Sequence, residues 1–399
     1  MRYAFKQRCV KAVVVLSIGL GVWTSGETQR LIWLGGERSE AFGVSADGRV
    51  VVGHSGSRAV RWVNGVMQDL GTLGGERSEA YSVSADGRVV VGRADNANGD
   101  WRAFRWVEGQ EMQDLGTLGG SDSIAFGVSA DGHVVVGWAE NDSGHRRAFR
   151  WVEGQGMQEL GTLGGNESEA YGVSADGHVV VGRAQSAGGY WRAFWWVEGQ
   201  GMQPLDTLGG FLSEAYDVSA DGHVVVGRAE DARGDRRAFR WANRMMQDLG
   251  TLGGAWSGAL GVSADGRVVV GWAWDASYQT RAFRWIEGQE MQDLNQVFAD
   301  LLTDGSILTI AYDISPDGRY IVGGGYNAAM GSDEAFLLDT WREGDTNGDG
   351  CINDADLLNV LFAFGTPGIP PAYHEDTNKD GLVDDADLLI VLFNFGQGC

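Results

Sequence analysis

The sequence predicts an all-β fold, a seven-bladed β-propeller closed by an N-terminal strand, followed by a small α-helical module built on two acidic loops. Three observations carry that expectation: one five-residue phrase recurs at blade-like spacing, the array begins with the strand that its last copy lacks, and the C-terminal segment repeats one acidic pattern twice. With 399 residues the chain is long enough for one large domain and one small one, and its composition is that of a folded protein.

Residues 1–26 read as an export signal. Arg2, Lys6, Arg8 and Lys11 precede an apolar run over 12–22, and the small residues Thr24, Ser25 and Gly26 follow, which places cleavage after Gly26. The run is shorter than a membrane span, and no later stretch reaches about 18 continuous apolar residues. The mature chain is therefore expected to be soluble, secreted or held at the cell surface, with no membrane insertion after cleavage. Cys9 lies ahead of the apolar run, where a lipid-attachment cysteine does not stand. The formal charge of −23 repels phosphate backbones and anionic lipid, which argues against nucleic acid as a partner.

The repeat array is expected over 27–341. Val-Ser-Ala-Asp-Gly begins at Val44, Val83, Val128, Val173, Val218 and Val262 and returns as Ile314-Ser315-Pro316-Asp317-Gly318, in steps of 39, 45, 45, 45, 44 and 52 residues. That period suits propeller blades of four strands. In one copy the strands read as 169–174, 179–183, 193–197 and 202–208, with Asp176-Gly177 and Glu198-Gly199 as turns. The seventh copy ends after its third strand, 334–338. Its missing strand stands at the other end of the array, where residues 29–36 align one for one with the fourth strand and exit turn of a complete copy, 113–120. Borrowing that strand closes the ring and leaves no blade unpaired.

Most copies also carry Arg-Ala-Phe, as at Arg102-Ala103-Phe104, Arg147-Ala148-Phe149 and Arg237-Ala238-Phe239, accompanied by Leu-Gly-Thr-Leu-Gly-Gly. Over about residues 29–338 the chain resembles the extracellular repeats named for a His-Ala-Phe motif, with Arg in place of the His. The resemblance implies an exported repeat protein with no established chemistry.

The last segment, 342–399, holds eleven acids from Glu343 onward against one base, Lys379. Oxygen-bearing residues stand at positions 1, 3, 5, 9 and 12 of two loops, with glycine at position 6 for the sharp turn. The first loop offers Asp345, Asn347, Asp349, Asn353 and Asp356 around Gly350; the second offers Asp376, Asn378, Asp380, Asp384 and Asp387 around Gly381. Position 7 binds through its backbone carbonyl, so Cys351 and Leu382 complete the two sets. This is the spacing of an EF-hand-like cage, and two calcium ions are expected. Each loop runs into a helix, 355–364 and 386–395, written Asp-Ala-Asp-Leu-Leu-x-Val-Leu-Phe-x-Phe-Gly in both. The duplication and the Asp at position 12 resemble a type I dockerin. That resemblance implies a cohesin-like partner on a scaffold or cell surface, gripped through Asp354-Ala355 and Asp385-Ala386 and the helices that follow, in either of two orientations. The chain departs from the family where hydroxyl pairs and basic residues are usual, with Phe362 and Phe393 on the helices. Cys399 is expected to return near the first loop and form a disulfide with Cys351, in a compartment where such a bond persists.

A catalytic constellation is hard to find. No nucleophile elbow, phosphate-binding loop or zinc motif is present. His133, His178 and His223 occupy a position filled elsewhere by Arg49, Arg88 and Arg267, as an exposed turn position allows. The first strand, taken as innermost, carries Gly43, Ser82, Gly127, Gly172 and Gly261 in most blades but Asp217 and Asp313 in the fifth and seventh. Those two carboxylates are the pair that glycoside hydrolysis would use. Trp101, Trp138, Tyr190, Trp191, Trp272, Trp274 and Tyr278 also break the repeat and offer faces for a sugar. The reading is a secreted, non-enzymatic interaction or surface protein whose calcium module docks to a partner. The alternative is an extracellular polysaccharide-binding or polysaccharide-degrading protein of the glycoside hydrolase type, using the channel carboxylates.

Overall fold

In each blade, apolar runs such as Val89-Val90-Val91 are buried on both faces, because every sheet is sandwiched between its two neighbours. The computed structural model describes residues 29–346, 352–367, 375–378 and 381–396; the expected signal segment lies outside them. Seven four-stranded antiparallel sheets form the repeat array. The first strands of consecutive blades touch all the way round, and Ile307–Ile314 of blade 7 meets Glu40–Val44 of blade 1 to close the ring. The cores lie between blades. One of them joins Val91 and Ala103 of blade 2 to Ala125, Val135 and Phe149 of blade 3.

Closure is as the sequence predicts. Arg30–Trp33 pairs with Ser332–Asp339 in the register Arg30↔Asp339 to Trp33↔Phe336 and supplies the fourth strand of blade 7. The predicted extents need correction: the second and third strands of blade 4 are longer than expected, Val179–Ser186 and Trp191–Val197 against 179–183 and 193–197. The first strand of blade 4 runs Gly164–Val173, beginning ahead of the expected 169, and its fourth strand, Gly201–Pro204, stops ahead of the expected 208. The Gly-Gly pair reads as a turn, yet Gly164 (φ +99°) opens the strand through a register shift before Ser168. The long step before the seventh copy is taken up by a short helix, Leu294–Val297, and a 3-10 turn, Ala299–Leu301.

The repeated phrase is a self-closed turn. Ser84 Oγ donates to Asp86, the backbone amide of Arg88 donates to the same carboxylate at 3.0 Å, and Val89 N donates to Ser84 Oγ at 2.9 Å. Every first strand has a bulge after its buried Ala, and beside it the strands run so close that a Cβ at Gly92 would lie 2.0 Å from the Glu79 carbonyl oxygen, so only glycine fits.

Two helices follow the propeller, Asp354–Ala363 and Asp385–Asn394, each opened by a capping box and each starting one residue ahead of expectation. Ile352, Val360, Val383 and Val391 are fully buried between them. The halves interlock: Gly365 N donates to Val383 O at 2.8 Å and Gly396 N to Ile352 O at 2.7 Å.

Candidate functional site

The bulges aim a belt of aromatic rings around the propeller axis. A register shift falls at Phe42, Tyr81, Phe126, Tyr171, Tyr216 and Tyr312 in their blades, and a bulge re-aims the residue it carries. Neighbouring rings touch, from Tyr312–Phe42 at 4.8 Å through Phe42–Tyr81 at 5.6 Å to Tyr171–Tyr216 at 5.6 Å. Sequence reasoning passed over this belt, although an aromatic after the buried Ala in six of seven copies is its signal.

Asp217 and Asp313 follow the belt, on the innermost strands as expected. The small residues that replace them elsewhere are packed against the next blade: a Cβ on Gly261 would lie 3.0 Å from Asp313 Cα. Each carboxylate spans a blade boundary. Asp217 accepts from its neighbour Val218 N at 2.8 Å and from Val262 N of blade 6 at 2.9 Å; Asp313 accepts from Ile314 N at 2.8 Å and from Val44 N of blade 1 at 3.0 Å. Burial first, and then the charge of Asp313, pushes the Asp217 carboxyl up to about 8. Burial pushes Asp313 up to about 6. At neutral pH the pair therefore holds one proton, on Asp217, and one negative charge, on Asp313. The arrangement fastens inner strands together across the boundaries of blades 5 and 6 and of blades 7 and 1.

Farther along the inner strands, blades 1, 2, 4 and 5 carry charged or titratable pairs and blades 3 and 6 carry pairs without charge. Glu79 faces Arg93, Glu169 faces Arg183, Glu214 faces Arg228 and Glu40 faces His54, whereas Ile124 faces Trp138 and Gly258 faces Trp272. Tyr81, Tyr171 and Tyr216 donate to the glutamate two residues before them. Arg183 also reaches Glu214 at 2.9 Å and so ties blade 4 to blade 5. Of the aromatics singled out in the sequence, Trp138 is buried and Trp101 and Trp191 carry Arg93 and Arg183 on their faces at 4.3 and 4.4 Å. The exposed rings are Tyr190 and Tyr278, joined by Phe211 and Trp256, which the sequence reading missed. Tyr190 stacks with Phe211 at 5.3 Å and Trp256 with Trp274 at 4.6 Å, making an aromatic strip on blades 4 to 6. His133 and His178 sit on exposed turns and pair with Glu153 and Glu198.

In the C-terminal module, the position-12 carboxylates are fully buried. Asp356 accepts from Thr346 N at 2.7 Å and Asn353 N at 2.9 Å, and Asp387 accepts from Asn378 N at 3.0 Å and Asp384 N at 2.9 Å. Asp376 at position 1 accepts from Gly381 N at position 6 at 3.0 Å, which wraps the second loop inward. Asp345 and Asp376 are also buried, and Leu382 pairs with Pro367 in a one-residue bridge. Asn347, Asp349, Cys351, Asp380 and Cys399 lie outside the described residues, so neither loop is described whole. Among the described residues no group of three or more His, Cys, Asp or Glu gathers in ligating geometry. The loop positions that are described offer oxygen donors, with buried carboxylates at positions 1 and 12, Asp345, Asp356, Asp376 and Asp387, and these fit a hard divalent cation.

Comparisons with known proteins support the fold. No family model and no curated protein matches the chain. Among solved structures it is similar to the oligogalacturonate lyase from Vibrio parahaemolyticus, at 10% identity and a TM-score of 0.51 over 79% of this chain and 98% of that one. It is also similar to TolB from Acinetobacter baumannii, at 13% identity and a TM-score of 0.44 over 74% and 82% of the two chains. At these identities the likeness is one of fold. No helix among the described residues is long and apolar enough to cross a membrane.

Proposed function

We propose that this is a secreted, non-catalytic interaction protein of the His-Ala-Phe repeat kind, in which a propeller (27–341) is carried by a dockerin-like module (342–399) that binds two calcium ions and docks to a cohesin-like partner. One observation carries the reading. The two C-terminal helices present matching apolar faces to solvent: Leu358, Leu361 and Phe362 on one, Leu389, Leu392 and Phe393 on the other, with Phe362 83% and Phe393 82% exposed. Exposed large apolar residues on so small a module mark a surface that a partner covers. Calcium would neutralise the loop carboxylates and hold the helices in this arrangement. Asp345, Asn347, Asp349, Asn353 and Asp356 would ligate one ion and Asp376, Asn378, Asp380, Asp384 and Asp387 the other, with the carbonyls of Cys351 and Leu382.

The test is calcium-dependent capture of a cohesin-type domain by the mature chain, measured with Phe362→Ala, Phe393→Ala and both together. Either face alone is expected to support binding and the double variant to lose it by about a hundredfold or more, since two buried anchors are removed. Retained binding in the double variant would reject the helices as the docking surface. A second reading, an extracellular polysaccharide binder, is favoured by the aromatic strip of Tyr190, Phe211, Trp256 and Tyr278, and release of sugar that vanishes in Asp217→Asn or Asp313→Asn would make it an enzyme.

A further inference from the structure

The glutamates of the inner strands share one pattern of partners, and the glutamate that faces the closing blade departs from it. In blades 2, 4 and 5 both carboxylate oxygens are taken. One accepts from the tyrosine two residues on: Glu79 from Tyr81, Glu169 from Tyr171 and Glu214 from Tyr216. The other accepts from a guanidinium: Oε1 of Glu79 from Arg93 at 2.7 Å, of Glu169 from Arg146 at 3.2 Å and of Glu214 from Arg183 at 2.9 Å. Arg146 and Arg183 come from the preceding blade. Arg183 lies 5.9 Å over Tyr171 of its own blade and reaches across to Glu214 of the next.

Glu40 of blade 1 keeps half of this pattern. Its Oε2 accepts from the Tyr312 hydroxyl at 3.3 Å and faces His54 Nε2 at 3.6 Å, whereas among the described residues nothing donates to Oε1. The preceding blade is blade 7. Its Tyr312 stands where Tyr171 stands in blade 4, but Gly324 stands where Arg183 does. A Cβ on Gly324 would meet Glu40 first, 3.4 Å from Cγ and 3.6 Å from Oε1, so a group lying over Gly324 comes directly onto that oxygen. The Glu40 side chain is 40% exposed, against 27, 4 and 12% for Glu79, Glu169 and Glu214, and solvent therefore reaches it. Histidine is not permanently charged as arginine is, and no arginine or lysine among the described residues pairs with Glu40.

We propose that this place takes the guanidinium of an arginine side chain presented by a protein partner, its N–H groups on Glu40 Oε1 and its plane over the Tyr312 ring, as Arg183 lies over Tyr171 and donates to Glu214. Arginine follows from the repeat, whose matching carboxylates are all met by a guanidinium. Its planar fork suits both the carboxylate and the ring face, which a lysine ammonium, a point charge, does not match. The charge of −23 draws a cationic partner in. The site belongs to the propeller and goes beyond the docking reading, since it depends neither on the C-terminal helices nor on the aromatic strip.

The repeat also supplies the test. Gly324→Arg installs the arginine that blade 4 carries, at a position outside the left-handed region where a Cβ meets nothing closer than 3.4 Å. Glu40→Gln removes the charge and keeps the shape. The mature chain and both variants are titrated calorimetrically with the peptide acetyl-Gly-Gly-Arg-Gly-Gly-amide and with its lysine and citrulline counterparts. The arginine peptide is expected to bind, the lysine peptide at least about fivefold more weakly and the neutral citrulline peptide not measurably. Both variants are expected to weaken the arginine peptide at least about tenfold, as loss of a charged hydrogen-bond partner does, with the thermal midpoint of Gly324→Arg holding or rising. No binding of the arginine peptide, equal binding of the lysine or citrulline peptide, or binding undiminished in Glu40→Gln overturns the proposal. Should Gly324→Arg fail to fold, Glu40→Gln and the citrulline peptide decide.

Discussion

Asp217 and Asp313 are the residues at which the repeat departs most from its own rule, and their surroundings set a measurable pH dependence. An aspartate in an unfolded chain titrates near about 4, while burial, and for Asp217 also the charge of Asp313, push these two to about 8 and about 6. Between about pH 4 and about pH 8 the folded chain thus holds protons that the unfolded chain has lost, so their contribution makes stability decline as pH rises through that window. It is fully favourable below the unfolded value and gone above the folded one. Asp217→Asn is expected to shrink the fall in thermal midpoint between pH 6 and pH 9 relative to the parent; an equal fall in both would remove this account of the pair. Much at this scale was legible in the sequence, because seven copies serve as controls for one another. The exchange of Arg49 for His133 marked an exposed turn, and the aspartates stood out against glycine. Phe211 and Trp256 were missed because they sit at the start of a first strand, away from the loop where departures were sought.

The closing strand shows what an element contributes that its own residues do not. Arg30–Trp33 is short and partly exposed, yet it covers the outer edge of Ser332–Asp339, and Gln29 Nε2 donates to Thr340 O at 3.1 Å across the length of the chain. Without it blade 7 would present a bare edge, open to pairing with another molecule. Removing residues 29–36 is expected to lower the thermal midpoint by several degrees and to yield dimers or larger species by light scattering; a monomer of unchanged stability would show that the ring does not need its closure. The strand was found in the sequence by alignment alone, since residues 29–36 repeat a phrase that the last copy lacks. Strand limits were less legible. Gly164-Gly165 has turn chemistry and strand pairing at once, and a bulge shifts the register where alternation would be read.

At the scale of the whole molecule, a rigid ring joins a small acidic module whose two halves are held by four buried aliphatic side chains, Ile352, Val360, Val383 and Val391. So small a core leaves the module dependent on what its loops bind. The sequence made the loops legible through strict spacing, but the partner-facing surface depends on which helix faces stay uncovered, and only folding the two halves together shows that Phe362 and Phe393 both point out. The most direct measurement is calorimetric titration of calcium into the mature, metal-stripped chain, repeated with Asp356→Asn and Asp387→Asn singly and together. The account predicts two calcium ions per chain, one lost with each substitution and both with the pair, with the propeller's own unfolding transition unmoved. Absence of calcium binding by the parent chain, or uptake indifferent to both substitutions, would contradict it.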